Sequence, residues 1–310
     1  MKKSLIVFTF FLFANYCSGQ SLPPEYYDLI GKAETFYMAN NFKASAQAYS
    51  DAFKVNGWKG LSSDRYDAAC SWALAGVPDS AFLNLERIVS KANFTDVDRV
   101  VADHDLDTLH TDKRWQSLLA MMNAAKEKAE ANLNKPLAHQ LDSIEEVDQQ
   151  GRLLSEEYEK KYGNDSKEMR GLWTKINNSD STNLIAVEAI LAQYGWLGPD
   201  IIGEKGNSTL FLVIQHADLK TQEKYLPMMR EAVTKGNARG SDIALLIDRV
   251  EMRNNRPQVY GSQIVMKNGK YEVYSIIDEP NVNKRREEVG LGPIENYVRH
   301  WNINYNVPAK

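Results

Sequence analysis

Along the first half of the chain, apolar and small residues recur at helical spacing. Leu29, Ala33, Phe36 and Tyr37 mark one helix that ends near Asn40-Asn41, and Ser45, Ala48, Tyr49, Ala52 and Phe53 mark a second that stops at Gly57. Tyr66, Ala69, Cys70 and Ala73 define a third stripe; Gly76-Val77-Pro78 breaks it, and Ala81, Phe82, Leu85 and Ile88 define a fourth. The pattern predicts two helical hairpins. Ala33, Ser45, Ala52, Ala69 and Ala81 are small enough for close helix contact, while Phe36, Tyr49, Tyr66 and Phe82 fill the gaps.

Beyond Met121 the chain is rich in Ala, Lys and Glu, which predicts a solvated helix leading to a break at Asn134-Lys135-Pro136, where we place the domain boundary. Leu137 to Tyr162 reads as one charged helix in which Asp148, Gln149 and Arg152 cluster, with Asp148 and Arg152 spaced to pair. Asn183 to Tyr194 is a further apolar helix. Leu210 to Ile214 is apolar on nearly every side, so its helix should be buried, with Gln215 and His216 arriving at its end. Asp218 is placed to cap the next helix, Leu219 to Lys235.

An apolar helical run closes at Asp248-Arg249, and Pro257 breaks it. Gln258 to Gln263 then opens a strand that continues through Met266, turns at Asn268-Gly269 and returns from Tyr271 to Ile277, because Asn-Gly between alternating apolar residues is a strong hairpin signal. A two-residue turn pairs Met266 with Tyr271, Ile264 with Val273 and Tyr260 with Ile277, and Gly261 is the easiest place for a bulge. The fold class expected is mainly α: helical hairpins, then an α+β domain of several helices with a β-hairpin at about 258–277.

The 310 residues, 43% of them apolar, can bury one large core or two modest ones, and the length favours two domains. Lys2-Lys3, the apolar run Leu5 to Phe13 and Cys17-Ser18-Gly19 read as a secretory signal. The expected organisation is therefore a signal peptide at 1–19, a helical domain at 20–133 and a second domain at 137–310. The apolar run is too short to span a bilayer, so we expect an exported protein, periplasmic or extracellular, without a membrane span. A lipid anchor at Cys17 is the alternative, opposed by the bulky Tyr16. Removing Lys2 and Lys3 takes the formal charge from 37 − 41 = −4 to 35 − 41 = −6, which with no basic tract argues against nucleic acid as a partner. Cys70 is then the remaining cysteine, so no disulfide framework is expected.

The first-half pattern resembles the tetratricopeptide repeat: Leu29, Ala33, Phe36, Ser45, Tyr49 and Ala52 fall on its signature positions, with departures at Lys32 and Gly57. Tyr66 to Cys70, Ala73, Gly76, Asp79, Ala81-Phe82 and Leu85 match more closely, and Asp105 to Trp115 resembles the segment that often follows. The resemblance covers about residues 25 to 125 and implies a scaffold that engages a protein or peptide partner, or braces the rest of the chain, and does not catalyse.

Asp148-Gln149 with Arg152, Tyr194-Gly195-Trp196, Gln215 to Asp218, Leu246 to Arg249, Gln258 to Gln263 and Asn283 to Gly290 resemble a bacterial domain of unknown function, 6624 in that series, over about residues 140 to 300. Ser262 departs from the threonine associated with that place. The resemblance implies one coherent domain in which His216, Asp248, Arg249, Gln258, Tyr260 and Gln263 converge, and it implies no reaction.

Residue chemistry leaves several readings open. His216 is either a hydrogen-bonded core histidine or a ligand-binding or catalytic group. Asp248 shares a face with Ala244, Leu245 and Met252 and needs a partner; Arg249 points about 100 degrees away, leaving Arg152, Arg285 and Arg286 as candidates. Gln258 and Gln263 suit a polar ligand but are not nucleophiles. Asp103 to Asp107 invites a calcium loop, but Thr108 and Trp115 stand where the turn glycine and closing glutamate belong, so no metal is expected. Phosphate loops, nucleophile elbows and zinc motifs are absent, and no cofactor is expected. The leading reading is an exported binding protein with a repeat scaffold bracing a polar-ligand domain, whose binding residues are Gln258, Tyr260, Gln263, Arg152 and Arg285. One alternative is a hydrolase with His216 and Asp248 as acid–base pair and Arg249 or Arg285 holding an anionic group. The other is a purely structural envelope protein.

Overall fold

The computed structural model describes residues 22–267 and 269–309, so the signal segment at 1–19, with Cys17, lies outside the described residues. The chain divides into two compact units, one ending at Ala131 and one beginning at Asn132. Among the described residues it is mainly helical, with one two-stranded antiparallel sheet. None of these helices is long and apolar enough to cross a membrane.

The first unit comprises α1 (Pro24–Met38), α2 (Phe42–Val55), α3 (Ser62–Leu74), α4 (Pro78–Ala92), α5 (Val97–Ala102), a 3-10 turn (His104–Leu109) and α6 (Arg114–Glu130). Prolines open α1 and α4, and the Asn41 side chain caps α2 by accepting from the Ala44 N–H at 3.3 Å. Consecutive helices from α1 to α4 pack on one another. Ala33, Ala52, Ala69 and Ala81 are fully buried where the small-residue pattern places helix contacts, and Ser45 meets Ser71 hydroxyl to hydroxyl at 3.0 Å. Phe36 departs from the expected gap-filling role and is exposed. Leu106, Leu109, Trp115 and Leu118 are buried.

The second unit comprises α7 (Lys135–Leu153), α8 (Ser155–Tyr162), α9 (Lys167–Tyr194), α10 (Pro199–His216), α11 (Leu219–Thr234), α12 (Gly240–Arg253), β1 (Ile264–Lys267), β2 (Lys270–Val273), α13 (Val282–Glu288) and α14 (Ile294–Tyr297). Helix α10 is its axis: α7, α9, α11 and α12 all pack against it, and Leu210 to Ile214 are buried on every side. Asp218 caps α11 by accepting from the Thr221 N–H at 2.8 Å.

Three elements differ from the sequence pattern. The charged segment breaks at Leu154 into α7 and α8, with the Ser155 hydroxyl donating to the Arg152 carbonyl at 2.6 Å. Helix α9 starts sixteen residues before Asn183, because Met169, Leu172 and Ile176 supply a helical stripe that packs with Tyr158 and Trp173. The hairpin keeps the expected register, Ile264 opposite Val273 and Met266 opposite Tyr271, but its strand does not reach back to Gln258. Residues 258–263 bend instead, because Gly261 adopts a φ of +74° and the amides around it turn inward to one carboxylate. Gln258 makes an isolated parallel bridge with Ile276, so the expected pairing of Tyr260 with Ile277 does not form.

Candidate functional site

Two polar clusters flank α12, served by its consecutive residues Asp248 and Arg249. Asp248 is 0% exposed and accepts from the backbone N–H groups of Val259, Tyr260 and Ser262 at 2.7, 2.9 and 2.8 Å. Its partners include three backbone amides that converge from one loop, while Arg152 and Arg285 are engaged elsewhere. Burial pushes its pKa up against the pull of those three donors.

Arg285 and Arg286 hold carbonyls of the same loop and its neighbours. Arg285 donates to Val259 O at 2.9 Å and Ile277 O at 2.6 Å; Arg286 donates to Tyr260 O at 2.7 Å and Gly292 O at 2.6 Å. Gln258 uses both ends of its amide inside the same loop: Nε2 donates to Gln263 O and Tyr274 O, and Oε1 accepts from the Gln263 N–H at 2.7 Å. Gln263 is buried, its Nε2 donating to the Ser262 hydroxyl. Tyr260 lends the loop its N–H and carbonyl and keeps its side chain half-buried. The structure thus brings Asp248, Gln258, Tyr260, Gln263 and Arg285 together, with His216 outside their hydrogen-bond network.

His216, the last residue of α10, belongs to the second cluster. Its Nδ1 lies 3.0 Å from Asp148 Oδ1 and 3.2 Å from Arg152 Nε. Arg152 also donates to Asp180 Oδ1 at 2.6 Å and lies 3.5 Å from Asp148 Oδ2, which accepts from Gln149 Nε2 at 2.7 Å. The expected Asp148–Arg152 pair is present, buried rather than solvated. A carboxylate and a guanidinium ask opposite things of Nδ1. Burial opposes the charge of Asp148, but the hydrogen bond and charge of His216, with Arg152, outweigh it and hold the pKa below the usual carboxylate range. An ionised Asp148 at the shorter distance fixes the Nδ1–H tautomer and leaves Nε2 as a bare lone pair. Burial pulls the His216 pKa down to about 4 despite Asp148, so the ring is neutral at pH 7. Burial pushes Asp180 up to about 6, against Arg152.

Arg249 reaches the backbone of the residue before His216. It is 4% exposed, and its Nη1 donates to Gln215 O at 3.0 Å, the carbonyl that also accepts from Gln222 Nε2 at 2.8 Å. Arg253 donates to the next carbonyl, Ala217 O, at 2.7 Å. Side chains of α11 and α12 thereby cap the open end of α10. Burial, with Arg253 and Arg152 nearby, pulls the Arg249 pKa down to about 9.

Capping leaves four buried polar atoms here without a hydrogen-bond partner among the described residues: Gln215 Oε1, His216 Nε2, Gln222 Oε1 and Arg249 Nε. Unpaired buried polar atoms cost about 1–3 kcal/mol each, and native cores keep them rare. Sequence reasoning missed Asp180 and Gln222. Asp180 sits mid-helix and Gln222 in the first turn of α11, each among polar neighbours, and a contact 28 residues away in sequence, that of Arg152 with Asp180, leaves no local signal.

Ligand-type atoms of Asp148, Asp180 and His216 lie within 4.8 Å of one another, as do those of Cys70, Asp103 and Asp105. In the first set Arg152 already supplies the central positive charge. In the second, Asp103 accepts from the Tyr66 hydroxyl at 2.7 Å and Asp105 from that of Tyr37 at 2.5 Å.

Residues 116–310 match a family described as of unknown function (DUF6624). No curated protein and no solved structure matches the chain.

Proposed function

The chain belongs to that family of unknown function, and with no reaction inherited from it we propose that the protein is an exported binding protein in which a tetratricopeptide-like scaffold is joined to a unit that holds a polar small molecule. The observation that carries this reading is the nest of unpartnered atoms on Gln215, His216, Gln222 and Arg249. A polar ligand there offsets the desolvation cost of those four atoms. The Asp248 loop serves as its frame: with Gln258 and Arg285 spent on backbone carbonyls, the binding residues become His216, Arg249, Gln215 and Gln222, with Arg152 behind.

A screen of polar small molecules by thermal shift tests this. Compounds that raise the melting midpoint of the unmodified chain should lose their effect in His216→Ala and Gln222→Leu and keep it in Tyr260→Phe. A midpoint that no polar compound moves would leave the purely structural reading in its place.

A hydrolase is the second reading, favoured by Asp148 holding Nδ1 so that Nε2 faces away as a base would. Asp148, not Asp248, would orient the imidazole. A pKa of about 4 makes His216 a weak base at neutral pH, which places binding ahead of catalysis. Ester turnover that His216→Gln abolishes while the fold persists would reverse that order.

A further inference from the structure

The balance of donors and acceptors in the nest carries information about the ligand. Arg249 Nε is an unused donor on a cation. The hydrogen bond of this guanidinium goes to a neutral carbonyl, and the charges beside it are those of Arg253 and Arg152. Arg152 is matched by Asp148 and Asp180, and Arg253 has Asp218 nearby. Arg249 has no carboxylate in ion-pair contact among the described residues. The negative end of the α10 dipole offsets part of its charge and no more. A buried cation in that position calls for an anion.

The other unused atoms call for something more. Gln215 Oε1 and Gln222 Oε1 are acceptors, and the Asp148-directed tautomer makes His216 Nε2 an acceptor too. Gln222 cannot turn its amide round without losing its bond from Nε2 to Gln215 O. Gln222 and Arg249 converge on the carbonyl of Gln215, the residue next to His216. An anion with acceptors alone, such as sulfate or a simple carboxylate, satisfies Arg249 and sets lone pairs against lone pairs elsewhere. A neutral polyol satisfies the acceptors and leaves the cation alone.

We propose that the nest binds a compact oxyanion carrying its own O–H donor, of the hydrogen-phosphate class, with Arg249 taking the charged oxygens and His216, Gln215 and Gln222 reading the hydroxyl. The proposal rests on the polar-ligand reading of this nest and narrows it to one chemistry. Free phosphate carries that chemistry at neutral pH, whereas a phosphate monoester, with a second pKa of about 6, is mostly a dianion without a P–O–H. At neutral pH inorganic phosphate keeps an O–H, whereas sulfate, nearly its isostere, has none, and the site distinguishes them through its acceptors.

The experiment is titration calorimetry of the mature chain at pH 7 with inorganic phosphate, sulfate, glycerol phosphate and glycerol as separate probes. We expect phosphate to bind at least about ten-fold tighter than sulfate, the worth of one buried hydrogen bond, and Arg249→Gln to abolish phosphate binding. Glycerol phosphate, mostly a dianion without a P–O–H at this pH, should bind more weakly than phosphate; tighter binding would overturn the reading of an acid O–H. Equal binding of phosphate and sulfate overturns the proposal, since no donor is then being read. Binding of glycerol with neither anion overturns the anionic class and leaves the polar-ligand reading standing, and binding of none of the four, with no polar compound raising the melting midpoint, removes both. The phosphate-to-sulfate ratio is read on the unmodified chain, so the test survives a variant that fails to fold.

Discussion

Asp248 and Arg249 are neighbours on α12, both buried and both ionisable, yet they meet opposite circumstances. The carboxylate is enclosed by three amide donors, and the residues that shape its loop, Gln258 above all, spend both ends of their side chains on main-chain atoms. The guanidinium donates to one carbonyl, and its Nε has no partner among the described residues. A polar network completed from within maintains a shape, while one left incomplete holds capacity in reserve. By that criterion we assign the loop with the more conspicuous sequence to architecture and propose the quieter end of α10 as the binding site.

The sharpest way to break the contrast is to remove each charge. Asp248→Ala leaves three buried amides without an acceptor, and we expect it to cost about 4 kcal/mol of stability in urea unfolding. A loss under about 1 kcal/mol would show that the loop does not depend on its carboxylate.

Next in size is a pH effect. The folded-state pKa of His216, about 4, lies below its ordinary 6.5, so between those values the unfolded chain holds a proton that the folded chain does not. Stability therefore rises with pH across that window and is lost as pH falls through it. Asp180 works in the opposite sense: its folded pKa of about 6 exceeds the ordinary 3.8, so its contribution falls as pH rises over that range. Compared with His216→Gln, the unmodified chain should lose on the order of 2–3 kcal/mol on going from pH 7 to pH 4. Parallel stability curves for the two proteins would mean that the ring is protonated in the fold.

Gly261→Ala is expected to cost about 2 kcal/mol, because the φ of +74° disfavours a side chain and the new Cβ would lie 2.3 Å from Ile294 Cδ1. Gly195, with a φ of +69° and nothing within 4 Å of its would-be Cβ, isolates the backbone part, and Gly195→Ala should cost about half as much. Equal melting midpoints for the two would remove the steric part of the account.

The smallest effect is the most diagnostic. Arg249→Met fills nearly the same space without a charge, and it should leave stability within about 1 kcal/mol of the original or raise it, as replacements of buried charges often do. A loss as large as that of Asp248→Ala would make both clusters structural.

What the sequence made legible follows the range of the interaction responsible. The register of Ile264 with Val273 and Met266 with Tyr271 is the one expected from the Asn-Gly signal, the Asp218 cap starts α11, and the Leu210–Ile214 run buries α10; each is decided within a few residues. The strand expected from Gln258 to Gln263 failed because a carboxylate 14 residues from Ser262 bends that backbone, and alternation of side chains carries no trace of it. His216 was marked as a candidate for arriving polar at the end of an apolar helix, but its orienting acid lies 68 residues away in sequence. Aspartates and glutamines on a helix look solvated until a neighbouring helix covers them, which is why Asp180 and Gln222 went unseen.

The loop that grips Asp248 also constrains the order in which the molecule assembles. Its three inward amides have no acceptor until α12 exists and has delivered the carboxylate, so the bend at Gly261 cannot precede the helix. The β1–β2 turn can close on its own, but its attachment to the rest of the unit belongs to the last steps on the path. Changes at Gly261 and Ser262 then act on the departure from the native state, quickening its loss while the rate at which it first forms stays the same.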